Sequence, residues 1–268
     1  MGRTKTITSR DNPTIKALRA LAADAREIRR QGRTLLDGPH LIEAYRRHGG
    51  IPEMLVLSDS GAGNAEVNHV IDGMAGVETL RLPDGLFREI SGVATPVGIL
   101  ALIAIPEMVV ESTRESSVML DAVQDAGNVG AILRTAAAAG ITNVLLGPGC
   151  AGAWTPRVLR AAQGAHFALR IREQVDLIAA LRRYEGKSVA TVASGGESLY
   201  DLDLGGDIAW VFGNEGAGVD AKVMEAAALR ATIPIASSTE SLNVAAAAAI
   251  CLFEGWRQRH AAKRQEHG

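Results

Sequence analysis

Short apolar runs alternate with segments of helical period along most of the chain. The first helical pattern follows Asn12-Pro13, where asparagine is a good cap and proline fits the first helical position. From Thr14 to Arg30, residues Ile15, Leu18 and Leu21 share one face. Lys16, Arg19, Arg26, Arg29 and Arg30 lie largely elsewhere, and Gly32 stops the helix. Between Arg33 and Pro106 the pattern predicts strands over 34–36, 54–57, 79–82 and 98–103, with helices over 40–47, 65–74 and 84–90. This is a small α/β layer. Residues 106–117, PEMVVESTRESS, are polar and proline-led and read as a linker.

A second α/β unit follows. Strands are expected over 118–123, 143–146, 188–192, 208–212 and 232–235, with helices between them and a last helix from about Glu240 to Arg259. Such alternation implies a mostly parallel sheet with helices on both faces. Apart from Ala245–Ala249 there is no low-complexity tract, and no internal repeat is visible.

Composition narrows the class. With 47% hydrophobic and only 4% aromatic residues in 268, the core must be built mainly from Ala, Val, Leu and Ile. Cys150 and Cys251 form no close-spaced motif, which fits buried thiols in a reducing, cytoplasmic setting and offers no metal site. The longest apolar stretches, 99–106 and 244–253, are far shorter than the ~20 residues of a membrane span. Net charge is −2, but residues 1–50 carry a balance of +6 and the remainder −8. A basic N-terminal segment before an acidic body suggests a polyanion-binding arm, or else a solvated, arginine-rich helix face.

In an open parallel sheet, ligands bind beyond the carboxyl ends of the strands. Three loops there carry polar or glycine-rich sequence: 124–140 (QDAGNVGAILRTAAAAG), 213–220 (GNEGAGVD) and 233–244 (IPIASSTESLNV). Each also has a purely structural reading. Asp125 or Asn128 could cap a helix on which Arg134 points to solvent, Gly213, Gly216 and Gly218 could make a tight turn, and Ser241 and Asn243 could cap the last helix. The three together, in one order within one unit, point to chemistry.

These segments resemble the three signature motifs of the SpoU class of SPOUT methyltransferases, also called the TrmH family. Asn128-Val129-Gly130 with Arg134-Thr135-Ala136 is similar to the first, Phe212-Gly213-Asn214-Glu215-Gly216 to the second, and Ile233-Pro234 with Glu240-Ser241-Leu242-Asn243-Val244 to the third. The resemblance implies four segments. These are a basic helical extension (1–32), an RNA substrate-binding α/β domain (33–105), a linker (106–117) and a trefoil-knotted α/β methyltransferase domain (118–268). It implies S-adenosylmethionine as cofactor, held by Gly213, Ile233 and Leu242 with Thr191, Ala193, Asn214, Gly216 and Ser241 as neighbours. It also implies a homodimer with the active site at the subunit interface. The alanine-rich helix 244–251 would permit close approach there, although alanine equally serves plain helix propensity.

The reaction so implied transfers methyl from sulfonium sulfur to a ribose 2′ oxygen of RNA, with rRNA favoured over tRNA because the N-terminal domain resembles that of rRNA enzymes. Arg134 is the principal catalytic candidate. Its guanidinium, with a pKa above ~12, suits positioning and alkoxide stabilisation better than base action. Asn128 would fix its geometry, Glu215 would pair with Arg134 or receive a proton, and Ser241 and Asn243 would line the transfer pocket. Ala139 and Ser237 depart from the family pattern, outside the residues assigned to chemistry. Two rivals remain. Gly147, Gly149 and Gly152 make a G-x-G-x-x-G after a strand, as in a nicotinamide-dependent dehydrogenase, but Trp154-Thr155-Pro156 delays the helix that should follow. The other rival is a non-catalytic RNA-binding protein of the same fold, which would be expected to lose motif residues kept here.

Overall fold

The computed structural model describes residues 4–107 and 113–265, with the side chains of 262–265 excepted. Most of the expected linker, 108–112, lies outside the described residues. In chain order the first elements are β1 (Thr4–Thr6), α1 (Pro13–Ala23), α2 (Ala25–Gln31), β2 (Arg33–Asp37), α3 (Pro39–Arg47), β3 (Met54–Ser58), α4 (Ala65–Asp72), β4 (Glu78–Leu82), α5 (Asp84–Arg88) and β5 (Ile99–Ala104). Then come β6 (Ser117–Leu120), α6 (Ala126–Ala138), β7 (Asn143–Leu146), α7 (Pro156–Ala162), β8 (Arg170–Arg172), α8 (Leu177–Arg183) and β9 (Lys187–Thr191). The chain ends with β10 (Glu197–Ser198), β11 (Ile208–Phe212), α9 (Ala221–Ala226), β12 (Leu229–Thr232) and α10 (Val244–Gln265).

The chain forms two compact units, and they divide it differently from the expected segments. Unit 1 holds residues 1–107 together with 154–167, and unit 2 holds 108–153 and 168–268. Unit 1 is built on a five-stranded sheet of order β1-β4-β3-β5-β2, with β2 and β5 antiparallel and β1, β4 and β3 mutually parallel.

The N-terminal segment is not an extension. Ile15, Leu18, Leu21 and Ile28 are buried, and β1 adds a strand beside β4. Burial of each such side chain stabilises by about 1.5–3 kcal/mol relative to exposure. The single helix expected over 14–30 is two helices, because Asp24 is extended (φ −131°, ψ 116°) and its carboxylate caps α2 through Arg26 N–H at 2.7 Å. Lys16, Arg10, Arg19, Arg30 and Arg33 each sit in an ion pair, so the basic stretch is partly neutralised within unit 1.

Residues 154–167 clip onto this unit. The fully buried Thr34 donates from Oγ1 to the Trp154 carbonyl at 2.6 Å, and α7 lies along β2. Phe167 packs on Tyr45 with ring centroids 5.1 Å apart. Gly164, at φ +85°, lies so close to α3 that an added β-carbon would stand 2.7 Å from that of Ala44.

Unit 2 is a seven-stranded parallel sheet of order β10-β12-β9-β11-β6-β7-β8. From β6 the chain runs outward through β7 and β8, crosses to β9, and later inserts β11 between β9 and β6. β11 is buried along its whole length. Val211 joins Met119, Leu145 and Ala190 under Leu177, Leu181 and Val223 from α8 and α9. Trp210 and Phe212 stack on the opposite face, with Gly255 of α10 against the Trp210 ring. Trp210 and Phe212 thus sit within an otherwise largely aliphatic core of this unit.

The strand expected over 232–235 ends instead at Thr232. Pro234 has no N–H to give to a ladder, and β12 pairs with β9 through Leu229, Arg230 and Ala231. The last helix begins at Val244, later than expected, because Asn243 caps it. Among the described residues no helix is long and apolar enough to cross a membrane. No group of three or more His, Cys, Asp or Glu among them could hold a metal ion.

Candidate active site

The carboxyl ends of β9, β11 and β12 open into one cavity of about 430 Å³ within unit 2. β9 supplies Thr191 and then Val192 and Ala193, and Thr191 Oγ1 donates to the Val211 carbonyl at 3.0 Å. β11 leads into a turn in which Asn214 and Gly218 exchange backbone hydrogen bonds, both at 2.9 Å. Inside that turn the Asn214 side chain accepts from Gly216 N–H at 2.9 Å and Ala217 N–H at 3.0 Å, and donates to the Ala122 carbonyl at 2.9 Å. A β-carbon at Gly213 would overlap the backbone of Gly218 and Val219, so the turn can close only on glycine. β12 leads into Ile233 and Ile235, and the chain returns through Ser241, Leu242 and Asn243 to α10.

All eight positions assigned to the cofactor by resemblance line this cavity. Val192, Gly218, Ala231, Ile235, Val244 and Ala247 line it too, and sequence reasoning missed them. Their signal would have been adjacency to a strand end or to a motif residue. The lining is mostly small or aliphatic, and Glu215 is its one charged side chain. Such a cavity suits a ligand with a flat, weakly polar body and a positive centre. That description fits S-adenosylmethionine, whose sulfonium is cationic.

Of the five expected catalytic residues, Glu215, Asn128 and Asn243 form one connected group, while Ser241 and Arg134 stand outside it. The Glu215 carboxylate accepts from Gln124 N–H at 3.1 Å, Asp125 N–H at 3.0 Å and Asn128 Nδ2 at 2.9 Å. Asn128 Oδ1 accepts from Asn243 Nδ2 at 2.9 Å, and Asn243 Oδ1 accepts from Ala245 and Ala246 N–H at 2.9 and 3.2 Å. An ionised carboxylate only accepts and helix-start amides only donate, so both amide side chains are oriented by the ends of the chain. One hydrogen-bonded series therefore joins all three motif loops. The structural readings hold as well: Asp125 caps α6 through Asn128 N–H at 2.9 Å, and Asn243 caps α10.

Burial pushes the Glu215 carboxyl up, but the Asn128 amide and the Asp125 and Gln124 backbone N–H groups outweigh it and hold the group below its ordinary value. Glu215 is thus an ionised organiser and a poor store for a proton. It does not pair with Arg134. Arg134, six residues after Asn128 on α6, is exposed, lies outside the cavity lining, and has no ion pair or side-chain hydrogen bond among the described residues. Asn128 bonds to Glu215 and Asn243, not to Arg134. Ser241 lines the cavity from an exposed position.

Sequence reasoning also missed Ala122, which follows β6 with φ +53°. A non-glycine residue held there is strained, and the Asn214 amide on its carbonyl helps to hold it. Burial pushes the two thiols up, to about 11 for Cys150 and about 12 for Cys251, which disfavours the reactive thiolate.

Comparison with known proteins gives two family matches, the SpoU rRNA Methylase family over residues 115–253 and the MRM3-like substrate binding domain over 12–101. The chain is 33% identical over 251 residues to a 23S rRNA (guanosine(2553)-2'-O)-methyltransferase of Bacillus subtilis (strain 168), covering 93% of this chain and 98% of that protein. A crystal structure of an RNA 2'-O ribose methyltransferase aligns with TM-score 0.78 at 30% identity, covering 95% and 99% of the two chains. An AdoMet-bound rRNA methyltransferase from Sinorhizobium meliloti aligns with TM-score 0.80 at 27% identity, covering 96% and 98%. The segment 154–167, which packs in unit 1, falls inside the first family match.

Proposed function

Because the chain belongs to the SpoU rRNA Methylase family, we propose that it transfers a methyl group from S-adenosylmethionine to a ribose 2′-hydroxyl of ribosomal RNA, with guanosine as the acceptor nucleotide. The observation that carries this reading is the series Glu215–Asn128–Asn243, whose two ends line an aliphatic, glycine-rich cavity that holds a single carboxylate.

S-adenosylmethionine, when bound, supplies an electrophilic methyl on a cationic sulfur. Glu215 contributes a fixed negative charge that favours a positive centre in the cavity. Gly213, Asn214, Gly216, Ile233, Leu242 and Ser241, with Thr191 and Ala193 at the strand end, form the cofactor cradle in this reading. Asn128 and Asn243 hold the first and third loops at a fixed separation. Arg134 positions the RNA phosphate or ribose and stabilises the alkoxide as the methyl is transferred. The hydroxyl proton leaves to solvent, since neither the guanidinium nor the triply hydrogen-bonded carboxylate is a useful base.

The same reading includes a cytoplasmic homodimer whose partner completes the site, and the trefoil knot of the family. Support for the dimer comes from α10, where Ala246, Phe253, Trp256 and His260 form an exposed stripe at helical spacing, with Phe253 44% and Trp256 38% exposed. Sedimentation of the wild type as a monomer at micromolar concentration would refute the dimer.

The reaction is tested by incubating the protein with methyl-labelled S-adenosylmethionine and total RNA from a strain lacking the gene, then analysing nucleosides by mass spectrometry. Label in 2′-O-methylguanosine of rRNA is expected. Label in a methylated base, or in no RNA at all despite cofactor binding, counts against it.

A further inference from the structure

Unit 1 gathers cations from two distant stretches of sequence around residues 88–92. The Glu89 carboxylate receives both Arg10 and Arg19, so one of these charges is left uncompensated. The neighbouring Asp37 carboxylate is turned inward. It accepts from Ser91 Oγ at 2.6 Å and Gly92 N–H at 3.1 Å, and burial pushes its pKa up against those bonds and the Arg160 charge.

The same loop also meets α7. Arg160 donates from Nη1 to the Gly92 carbonyl at 3.1 Å, which fixes an exposed guanidinium at the loop. A β-carbon on Gly92 would stand 3.5 Å from Cβ of Pro156, so the start of α7 and its next residue, Arg157, lie at the same edge. Arg157 is exposed and has neither an ion pair nor a hydrogen-bond partner among the described residues. The loop 92–97, GVATPV, carries no charge, and Ala94, Thr95 and Val97 are exposed. The loop itself therefore sets no carboxylate in the way of an approaching polyanion.

We propose that this surface docks the phosphate backbone of the RNA substrate, and that Arg157 and Arg160 are phosphate-contacting residues of the substrate-binding unit although they lie within the methyltransferase stretch of the sequence. The inference rests on the transferase reading for the identity of the RNA. Planar guanidinium groups match phosphate in a forked geometry, and one of the two is held in place by a backbone carbonyl before RNA arrives. Phosphate contacts of this kind fix orientation without reading sequence.

The test measures binding of the full-length protein to a 23S rRNA transcript by fluorescence anisotropy across a salt series, alongside cofactor affinity and steady-state methyl transfer. Arg157→Glu makes no structural bond to lose. It is expected to weaken RNA binding of the order of ten-fold, to reduce the slope of log affinity against log salt by about one, and to raise KM for RNA. kcat and affinity for S-adenosylmethionine should stay unchanged. Arg160→Glu should act alike, whereas the same charge reversal at the exposed Arg183 of α8 should stay within about two-fold of wild type. Binding of Arg157→Glu within two-fold of wild type, or equal damage from Arg183→Glu, would overturn the proposal. A wild type that binds RNA without methylating it, together with weakened binding in Arg157→Glu, would uphold the surface and refute the transferase reading.

Discussion

Replacing Asn243 by aspartate separates two jobs that one side chain performs. As an N-cap, aspartate is as good as asparagine, since its oxygen accepts from Ala245 and Ala246 N–H in the same way. As a donor to Asn128 Oδ1 it fails, because a carboxylate has no hydrogen to give. Asn128 is then flanked by two carboxylates and can keep its amide toward Glu215 only by leaving its oxygen against negative charge. The loss is one amide–amide hydrogen bond and a weakened bond to a charged group in a site that solvent reaches, about 1–2 kcal/mol together. If the three loops must be held in register for transfer, kcat/KM falls roughly five- to thirty-fold. The same loss should lower the melting temperature by about 2–4 °C for each kcal/mol, with the cap itself surviving. Asn243→Ala, which removes the cap as well, should lose about 1 kcal/mol more and melt a further ~2–4 °C lower. The assay is methyl transfer at saturating cofactor beside a melting curve. Turnover of Asn243→Asp within two-fold of wild type would show that the series is not needed for catalysis. Melting as low as that of Asn243→Ala would refute the capping argument.

Arg134→Ala should abolish transfer while S-adenosylmethionine binding, measured by calorimetry, stays within about two-fold, since Arg134 lies outside the cavity lining. A variant with near-normal turnover would remove Arg134 from the mechanism. Gly213→Ala should fail to bind cofactor, because its β-carbon overlaps the Gly218–Val219 backbone, and calorimetry with wild-type affinity would contradict that packing. Thr34→Val leaves the buried Trp154 carbonyl without its 2.6 Å donor and should cost about 1–3 kcal/mol, read from a denaturant curve. The depressed Glu215 carboxyl favours the folded loop when pH is above its ordinary value of 4.5 and loses that contribution as pH falls through its lower folded value. Cofactor affinity of the wild type should accordingly fall on acidification below about pH 4.5, and a flat profile there in a still-folded protein would exclude Glu215 as the charge that matters.

Where burial pattern and local chemistry agree, the elements were legible from the sequence. The strands Asn143–Leu146 and Ile208–Phe212 have the bounds that their apolar runs predict, and Asn12-Pro13 starts a helix as capping chemistry requires. Elsewhere one local rule outranked another. The cap at Asp24 splits a helix whose apolar period runs on, and Pro234 ends a strand whose apolar content continues. β1, Thr-Lys-Thr, has no apolar signal at all, because an exposed edge strand is specified by its partner's backbone.

For the site, the sequence alone determined which residues stand at the strand ends, because motif order and spacing are properties of the chain. Gly213, Asn214, Gly216, Ile233, Ser241 and Leu242 lie beside one cavity for that reason. Only the tertiary structure decided how they connect. Glu215 meets Asn128 and the backbone rather than Arg134, because a carboxylate takes whatever donors its turn delivers, and that turn is shaped by the Gly213 crossing. It also decided that residues 154–167 belong to unit 1. Their apolar side chains pack against β2 and Tyr45, more than a hundred positions earlier, and sequence distance carries no information about such a contact.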